Sequence, residues 1–342
     1  MSLRRLNRHL ISVLALLAPI TLFADSPYLF DDTPLSEPLG HPEWFKESFL
    51  DLPEDLQQAV ESGKRGIIVY FGQQRCPYCE KFLNVNFGAS DIRSYTEKHF
   101  DVIAVDIWGV QELTDITGEI LTERQYSVRK KTNFTPSLIF IDADGNEALQ
   151  LRGYYPPYKF RAALEYVADG HYRNERFSDY LRRADGSLTF EPDELNEQPF
   201  FDQPPYALQR NHFPAAHPLA VFFEQGNCHA CDVLHAQPLQ EDEISDLFES
   251  FQTIQLDINT NTPVLTPTGE KLTARQWANK LEIFYTPSII FFDPEGNEII
   301  RADSVVQFYR LRNILNYVLS GGYQSHPNYQ LWRSEQSHAY SN

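Results

Sequence analysis

The chain has 342 residues, of which 42% are hydrophobic, and this is enough apolar material for more than one buried core. Its 29 Lys and Arg residues against 47 Asp and Glu residues give a formal net charge of −18. A surface with this excess of negative charge repels nucleic acid and anionic membranes, so neither is an expected partner.

Residues 1–24 have the pattern of a secretory signal peptide. Arg4, Arg5 and Arg8 precede an apolar run from Leu10 to Phe23, and a small residue follows it. The run is about fourteen residues long, which is shorter than the roughly twenty that a membrane-spanning helix needs. We therefore expect an exported, periplasmic or extracellular protein whose mature chain has no transmembrane segment; an uncleaved N-terminal anchor is the alternative.

The predicted elements then alternate between strands and helices. In chain order they are a strand at 66–71, a helix that begins at Cys76, a helix near 90–99, a strand at 101–108, a helix near 121–132, a strand at 136–142, a turn with Gly145, a strand at 147–154 and a helix at 158–168. Early alternation followed by a hairpin indicates an α/β protein with a mixed sheet.

The second half of the chain repeats the first. Residues 118–147 align without gaps on residues 269–298, and 15 of these 30 positions are identical. The same order of strands and helices follows in the second copy, so the chain consists of two copies of one domain. We expect domain 1 at 41–170, a linker at 171–217, domain 2 at 218–322 and a loosely held C-terminal tail at 323–342.

All four cysteines belong to two Cys-x-x-Cys motifs, one in each copy. Such a motif can be a structural disulfide, half of a zinc site or a redox dithiol. A joint zinc site is disfavoured because 148 residues separate the pairs, whereas common zinc modules have about 15–20. A cysteine at the start of a helix is stabilised as a thiolate, which makes Cys76 and Cys228 the expected nucleophiles and Cys79 and Cys231 the resolving thiols.

A second repeated feature is a Thr-Pro pair at the start of a strand. Thr135-Pro136 occurs in the first copy and Thr286-Pro287 in the second. We expect both peptide bonds to be cis, which outside such special positions is uncommon even before proline.

A Cys-x-x-Cys after the first strand and a Thr-Pro before the hairpin resemble the thioredoxins. The segments "HPEWFKESFLDL", "YFGQQRCPYCEKF" and "TDITGEILTERQ" are similar, more narrowly, to the SoxW-type exported thioredoxin-related proteins. The resemblance implies two tandem thioredoxin-like domains, each a mixed central sheet flanked by helices.

The resemblance also implies a function. It implies dithiol–disulfide exchange with protein thiols and disulfides, without a cofactor, and a redox partner at the membrane is one candidate. The backbone at Thr135 and Pro136, and at Thr286 and Pro287 in the second copy, would bind an extended substrate segment. Many thioredoxins have a buried acid six residues before the first cysteine, and this chain has tyrosine and phenylalanine there, at positions 70 and 222.

The residues between the cysteines are expected to modulate the redox potential. These are Pro77 and Tyr78 in the first motif and His229 in the second. A protonated His229 would stabilise the Cys228 thiolate; the alternative is a solvated loop histidine.

Two other functions are alternatives to exchange with proteins. One is a peptide-binding or chaperone module in which the cysteines are incidental. The other is an oxidoreductase for glutathione or a small sulfur compound, because Cys-Pro-Tyr-Cys is also the glutaredoxin form. Reductant, oxidant and isomerase are all compatible with the motifs.

Overall fold

The computed structural model describes residues 27–184, 195–212 and 214–339. The predicted signal peptide at 1–24 lies outside these ranges. Within them, every helix is too short or too polar to cross a bilayer.

The first copy forms one four-stranded sheet with helices on both sides. Its elements are α1 (Leu52–Glu61), β1 (Gly66–Gly72), α2 (Pro77–Lys81), a π-helical turn (Phe82–Asn86), α3 (Ser90–His99), β2 (Phe100–Asp106), β3 (Glu112–Thr114), β4 (Ile120–Thr122), α4 (Glu123–Arg129), β5 (Ser137–Asp142), β6 (Glu147–Arg152) and α5 (Pro157–Ala168). The strand order is β2-β1-β5-β6, with β1 parallel to β2 and the other pairs antiparallel.

The rest of the chain begins with a short connection and then repeats this architecture. The elements are a 3-10 turn (His171–Arg173), α6 (Phe177–Ala184), β7 (Tyr206–Ala207), β8 (Leu219–Glu224), α7 (His229–Ala236), a 3-10 turn (Pro238–Gln240), α8 (Asp242–Phe248), β9 (Gln252–Asp257), β10 (Pro263–Leu265), β11 (Lys271–Thr273), α9 (Ala274–Lys280), β12 (Ser288–Phe292), β13 (Glu298–Ala302), α10 (Phe308–Leu319), α11 (Gly322–Ser325) and α12 (Tyr329–Ala339). The strand order β13-β12-β8-β9 matches the first sheet. The predicted α/β class, with two mixed sheets in tandem, is confirmed.

The central strand β1 is apolar throughout because both of its faces are covered. Ile68 and Tyr70 point into one hydrophobic cluster, while Ile67, Val69 and Phe71 point into another on the opposite face. Successive side chains of a β-strand point to opposite faces in this way, and burial on both faces explains why the sequence is a continuous apolar run.

The tail and the connection are more ordered than predicted. Phe177 and Tyr180 on α6 are buried in the core of domain 1, within the segment predicted as a linker. The tail was expected to be loosely held, but Tyr329 on α12 is 1% exposed and Trp332 is 8% exposed. Aromatic side chains have much apolar surface to remove from water, and this holds both segments against the domains.

The two domains meet through equivalent segments. The Val305 N–H donates a hydrogen bond to the Tyr154 carbonyl at 3.0 Å, and these residues correspond in the repeat. Gly153 lies against its own counterpart Ser304, where a Cβ would come within 2.1 Å of the Ser304 Oγ. The domains are therefore related by a local pseudo-two-fold axis.

Each core also contains an aromatic side chain from the other domain. Phe134, two residues before Pro136, packs in the core of domain 2, and its counterpart Tyr285 packs in the core of domain 1. Both Thr-Pro segments consequently lie at the interface between the domains.

Candidate functional site

Each Cys-x-x-Cys motif forms a disulfide at the start of a helix. The Cα atoms are 5.1 Å apart in both the Cys76–Cys79 and the Cys228–Cys231 pairs. The first sulfur of each pair accepts a hydrogen bond from the backbone N–H of the second cysteine, at 3.0 Å in domain 1 and 3.1 Å in domain 2. After reduction, the same N–H groups would stabilise a thiolate on the first cysteine. All four sulfurs of the chain belong to these two disulfides.

The Thr-Pro segments face these disulfides. Both peptide bonds are cis, as predicted. The Cys76 Sγ lies 3.3 Å from the Thr135 Oγ1 and 3.7 Å from its carbonyl oxygen. In domain 2, the Cys228 Sγ lies 3.6 Å from the corresponding two atoms of Thr286. The structure thus brings together cysteines and Thr-Pro segments that are almost sixty residues apart in sequence.

The disulfide of domain 1 is buried, and domain 2 contacts the residues beside it. Cys76 and Tyr78 are each 3% exposed, and Thr135 is 1% exposed. The Nη2 of Arg310, on α10, donates a hydrogen bond to the Thr135 carbonyl at 2.8 Å. The guanidinium carbon lies 3.2 Å from the centre of the Tyr78 ring. A side chain of domain 2 thus uses the carbonyl that the thioredoxin resemblance assigns to substrate.

Tyr78 is also held by polar contacts. Its hydroxyl donates to a carboxylate oxygen of Asp32 at 2.9 Å and accepts from the Gln307 N–H at 2.8 Å. Asp32 further accepts from the N–H groups of Tyr309 and Arg310, so it caps the start of α10. Burial raises the pKa of Tyr78 well above its usual value. Tyr78 therefore acts as an anchor between the domains.

The site of domain 2 is more accessible. Cys228 is 8% exposed, Thr286 is partly exposed and His229 is exposed. The His229 ring makes an edge contact with Tyr28, with ring centroids 5.3 Å apart. The roles predicted for His229, and for Pro77 at the first position of α2, remain predictions.

The sequence reasoning missed a buried acid in domain 2. Tyr70 and Phe222 occupy the positions where it was sought, and both are buried. Two residues after Phe222, the carboxylate of Glu224 is fully buried, and its Oε1 lies 3.0 Å from the Nε2 of His235. The available signal was a charged residue at the end of an otherwise apolar strand, and a histidine four residues after Cys231.

The two sites share a set of features. In each, a Cys-x-x-Cys disulfide begins a helix after the central strand and faces a cis Thr-Pro at the start of the antiparallel strand. An α/β fold with this arrangement defines the class of thioredoxin-fold proteins, and the site supports thiol–disulfide oxidoreductase chemistry.

The comparisons with known families agree with this class. The model of the family described as "Thioredoxin-like domain" matches residues 52–168 and again 213–319, which together are more than half of the chain. The chain belongs to this thioredoxin-like domain family. No curated protein matches the chain.

Several solved structures are similar to parts of this chain. A thioredoxin-fold protein from Helicobacter pylori is 23% identical with a TM-score of 0.35, over 42% of this chain and 88% of that chain. A thioredoxin from Thermus thermophilus is 22% identical with a TM-score of 0.29, over 37% of this chain and 94% of that chain. A disulphide isomerase from Xylella fastidiosa is 15% identical with a TM-score of 0.23, over 37% of this chain and 85% of that chain.

Proposed function

We propose that this protein is an exported thiol–disulfide oxidoreductase that exchanges disulfides with protein partners. The observation that carries the proposal is the contact of each first cysteine with its own Thr-Pro segment, at 3.3 Å in domain 1 and 3.6 Å in domain 2. An extended peptide bound to the backbone of that segment would present a sulfur beside the nucleophile.

Export is supported by the N-terminal sequence. Arg4, Arg5 and Arg8 ahead of the apolar run from Leu10 to Phe23 have the order of a secretory signal. Cleavage after residue 24 would release a chain that begins at Asp25, and N-terminal sequencing of the secreted protein tests this. The proposed relationship to the SoxW-type proteins is consistent with export, because those proteins are exported as well.

The two sites would have different roles. Arg310 of domain 2 occupies the Thr135 carbonyl and Cys76 is buried, so protein substrates would reach domain 1 only when the domains separate. Cys228 and Thr286 are more exposed and would meet protein partners in the closed arrangement. The pair of domain 2 is therefore the proposed first contact for a protein substrate.

The test is the reduction of a protein disulfide substrate, such as insulin, with each pair removed in turn. We expect Cys228→Ser to abolish most of the activity of the closed protein and Cys231→Ser to accumulate mixed disulfides with the substrate, because the resolving thiol is missing. The chain with Cys76→Ser and Cys79→Ser should keep more than about half of the activity. Equal activity in all these variants would contradict the proposal.

A variant with all four cysteines replaced by serine separates the proposal from its alternatives. An oxidoreductase loses all exchange, whereas a binding or chaperone module keeps its effect on the aggregation of an unfolded client. Activity with glutathione disulfide but not with insulin would favour the small sulfur compound as substrate.

A further inference from the structure

A relay of side-chain contacts in domain 1 ends at the nucleophilic sulfur. The indole N–H of Trp108 donates to the Gln73 Oε1 at 2.9 Å, and the Gln73 Nε2 donates to the Thr135 Oγ1 at 2.8 Å. The Thr135 Oγ1 in turn lies 3.3 Å from the Cys76 Sγ. The Trp108–Gln73–Thr135 relay thus leads from two partly exposed side chains to a sulfur that is 3% exposed.

The parallel pairing of β1 and β2 brings the outer members of the relay together. Gly72 at the end of β1 pairs with Asp106 at the end of β2. Gln73 follows β1 by one residue and Trp108 follows β2 by two, and the ends of parallel strands lie at the same edge of a sheet. The backbone N–H of Trp108 also donates to the Asp106 Oδ1 at 2.9 Å, which holds the turn after β2.

The indole fixes the direction of the bonds in the relay. An indole N–H can only donate, so the Gln73 atom that faces Trp108 must be the carbonyl Oε1, and the Nε2 faces Thr135. An amide nitrogen does not accept, so the Thr135 hydroxyl accepts from Gln73 and directs its own hydrogen elsewhere. Among the described residues, the sulfur of Cys76 is the only acceptor that this hydroxyl contacts.

Domain 2 has the glutamine of the relay but not the tryptophan. By the offset between the cysteine motifs, the glutamine is Gln225. Asn259 corresponds to Trp108, because the backbone N–H of each donates to the aspartate two residues earlier, at 2.8 and 2.9 Å. In the described part of domain 2, the Thr286 hydroxyl receives no bond from a side-chain amide, and it lies 3.6 Å from the Cys228 Sγ. The relay is therefore a feature of domain 1.

We propose that Gln73, held by Trp108, is a positioning residue that directs the Thr135 hydroxyl toward the Cys76 sulfur and thereby stabilises the Cys76 thiolate. The inference rests on the proposed function, in which this thiolate attacks a substrate disulfide. A thiolate that accepts a hydrogen bond is more stable than one that does not, so the relay increases the population of the reactive form.

The reaction that the thiolate begins balances in atoms and electrons. Cys76 forms a bond to one substrate sulfur, and the other substrate sulfur leaves with the electron pair and takes up a proton. Cys79 then gives up its thiol proton and displaces the remaining substrate sulfur, which is protonated in its turn. The protein dithiol becomes a disulfide, and the substrate disulfide becomes two thiols.

The charged and titratable groups around the relay stay in place in every variant of the test. Arg310 donates to the Thr135 carbonyl at 2.8 Å, which reduces the repulsion between a thiolate and that carbonyl, 3.7 Å from the Cys76 Sγ. The other groups that adjoin the relay or the cysteine are Asp32, His41, Arg75, Tyr78, Asp106 and Arg124. All replacements in the test exchange one uncharged side chain for another, so differences between the variants report on hydrogen bonding.

The test measures the ionisation of Cys76 as the only thiol of the full chain, with Cys79→Ser, Cys228→Ser and Cys231→Ser. The ultraviolet absorbance of the thiolate is followed against pH, and the chain with all four cysteines replaced by serine supplies the background. Thr135→Val removes the hydroxyl and keeps the shape of the side chain. We expect it to raise the midpoint by about one pH unit, a roughly tenfold loss of thiolate at a pH below both midpoints. An unchanged midpoint would overturn the inference.

A double-mutant cycle tests whether Gln73 acts through Thr135. Gln73→Leu should raise the midpoint by about half a pH unit or more when Thr135 is present, and by less than about 0.3 pH unit when Thr135→Val is present as well. A glutamine that only supports the fold would raise the midpoint equally in both backgrounds, which would overturn the inference. Trp108→Phe removes the donor that orients the amide, and it should act in the same direction if Gln73→Leu does not fold.

Gln225→Leu is the matched control in domain 2. In a chain whose only thiol is Cys228, it should leave the midpoint unchanged, because Thr286 receives no bond from this glutamine in the described structure. A rise as large as that of Gln73→Leu would overturn the inference. Failure of the proposed function would appear elsewhere, as a reduced parent chain that leaves insulin disulfides intact whatever its midpoints, so the two failures are distinguishable.

Discussion

Replacement of Arg310 by alanine should expose the disulfide of domain 1. The side chain makes a charged hydrogen bond to Thr135 at 2.8 Å and a close contact with the Tyr78 ring at 3.2 Å. A hydrogen bond to a charged group is worth about 1.5–3 kcal/mol, and a desolvated cation–π contact about 2 kcal/mol. The desolvation of the buried guanidinium offsets part of this sum. We take a net loss of about 1.5–3 kcal/mol, which corresponds to roughly a ten- to 100-fold increase in the open population.

The assay is the rate at which dithiothreitol reduces Cys76–Cys79 in a chain with Cys228→Ser and Cys231→Ser. If opening is rapid, this rate follows the open population and should rise by the same roughly ten- to 100-fold in Arg310→Ala. Circular dichroism would verify that the variant is folded.

Arg312→Ala is the matched control. Arg312 lies on the same helix, and its replacement by alanine removes the same charge. Its guanidinium carbon, however, lies over rings of its own domain, 5.5 Å from the centre of Phe308 and 5.0 Å from the centre of Tyr309. This control should reduce at the parent rate. Equal reduction rates in the parent, Arg310→Ala and Arg312→Ala would refute the reasoning that Arg310 closes the site.

Three further predictions concern the interface and the potentials. Burial raises the pKa of Asp303 to about 6 from 3.8, so the folded state holds a proton that the unfolded state has lost, and stability falls as pH rises from about 4 to 6. Asp303→Asn should therefore raise the free energy of unfolding by up to about 3 kcal/mol at pH 7 and leave it unchanged near pH 4, as measured by denaturant titration; equal effects at both pH values would contradict this. Gly153→Ala should lower the free energy of unfolding by about 2 kcal/mol more than Gly63→Ala. Both glycines have positive φ, but only at residue 153 would the new Cβ clash, 2.1 Å from the Ser304 Oγ. Similar losses of stability for the two variants in calorimetry would exclude the steric effect. The two disulfides should differ in reduction potential by at least about 30 mV, because the residues between the cysteines differ at both positions; redox titration of chains with one pair each tests this, and coincident curves would exclude it.

The sequence by itself was sufficient for the features that depend on local patterns. The repeat predicted two α/β domains, and the apolar runs located the central strands to within one or two residues. The motif of Cys76 was correctly predicted to begin a helix, because the residue at such a position is the N-cap that the backbone N–H groups require. Thr135-Pro136 was predicted to be cis from its position at the start of a strand.

Only the tertiary structure showed how the two copies contact each other. The Tyr78 hydroxyl and the Gln307 N–H are 229 positions apart in sequence, and Arg310 reaches Thr135 across 175 positions. No periodicity in either segment encodes such a pairing, since each residue is equally consistent with a solvent-exposed surface in an isolated domain. The burial of Glu224 and His235 is decided in the same way, because a charge at a strand end is placed inside or outside by whatever packs over it.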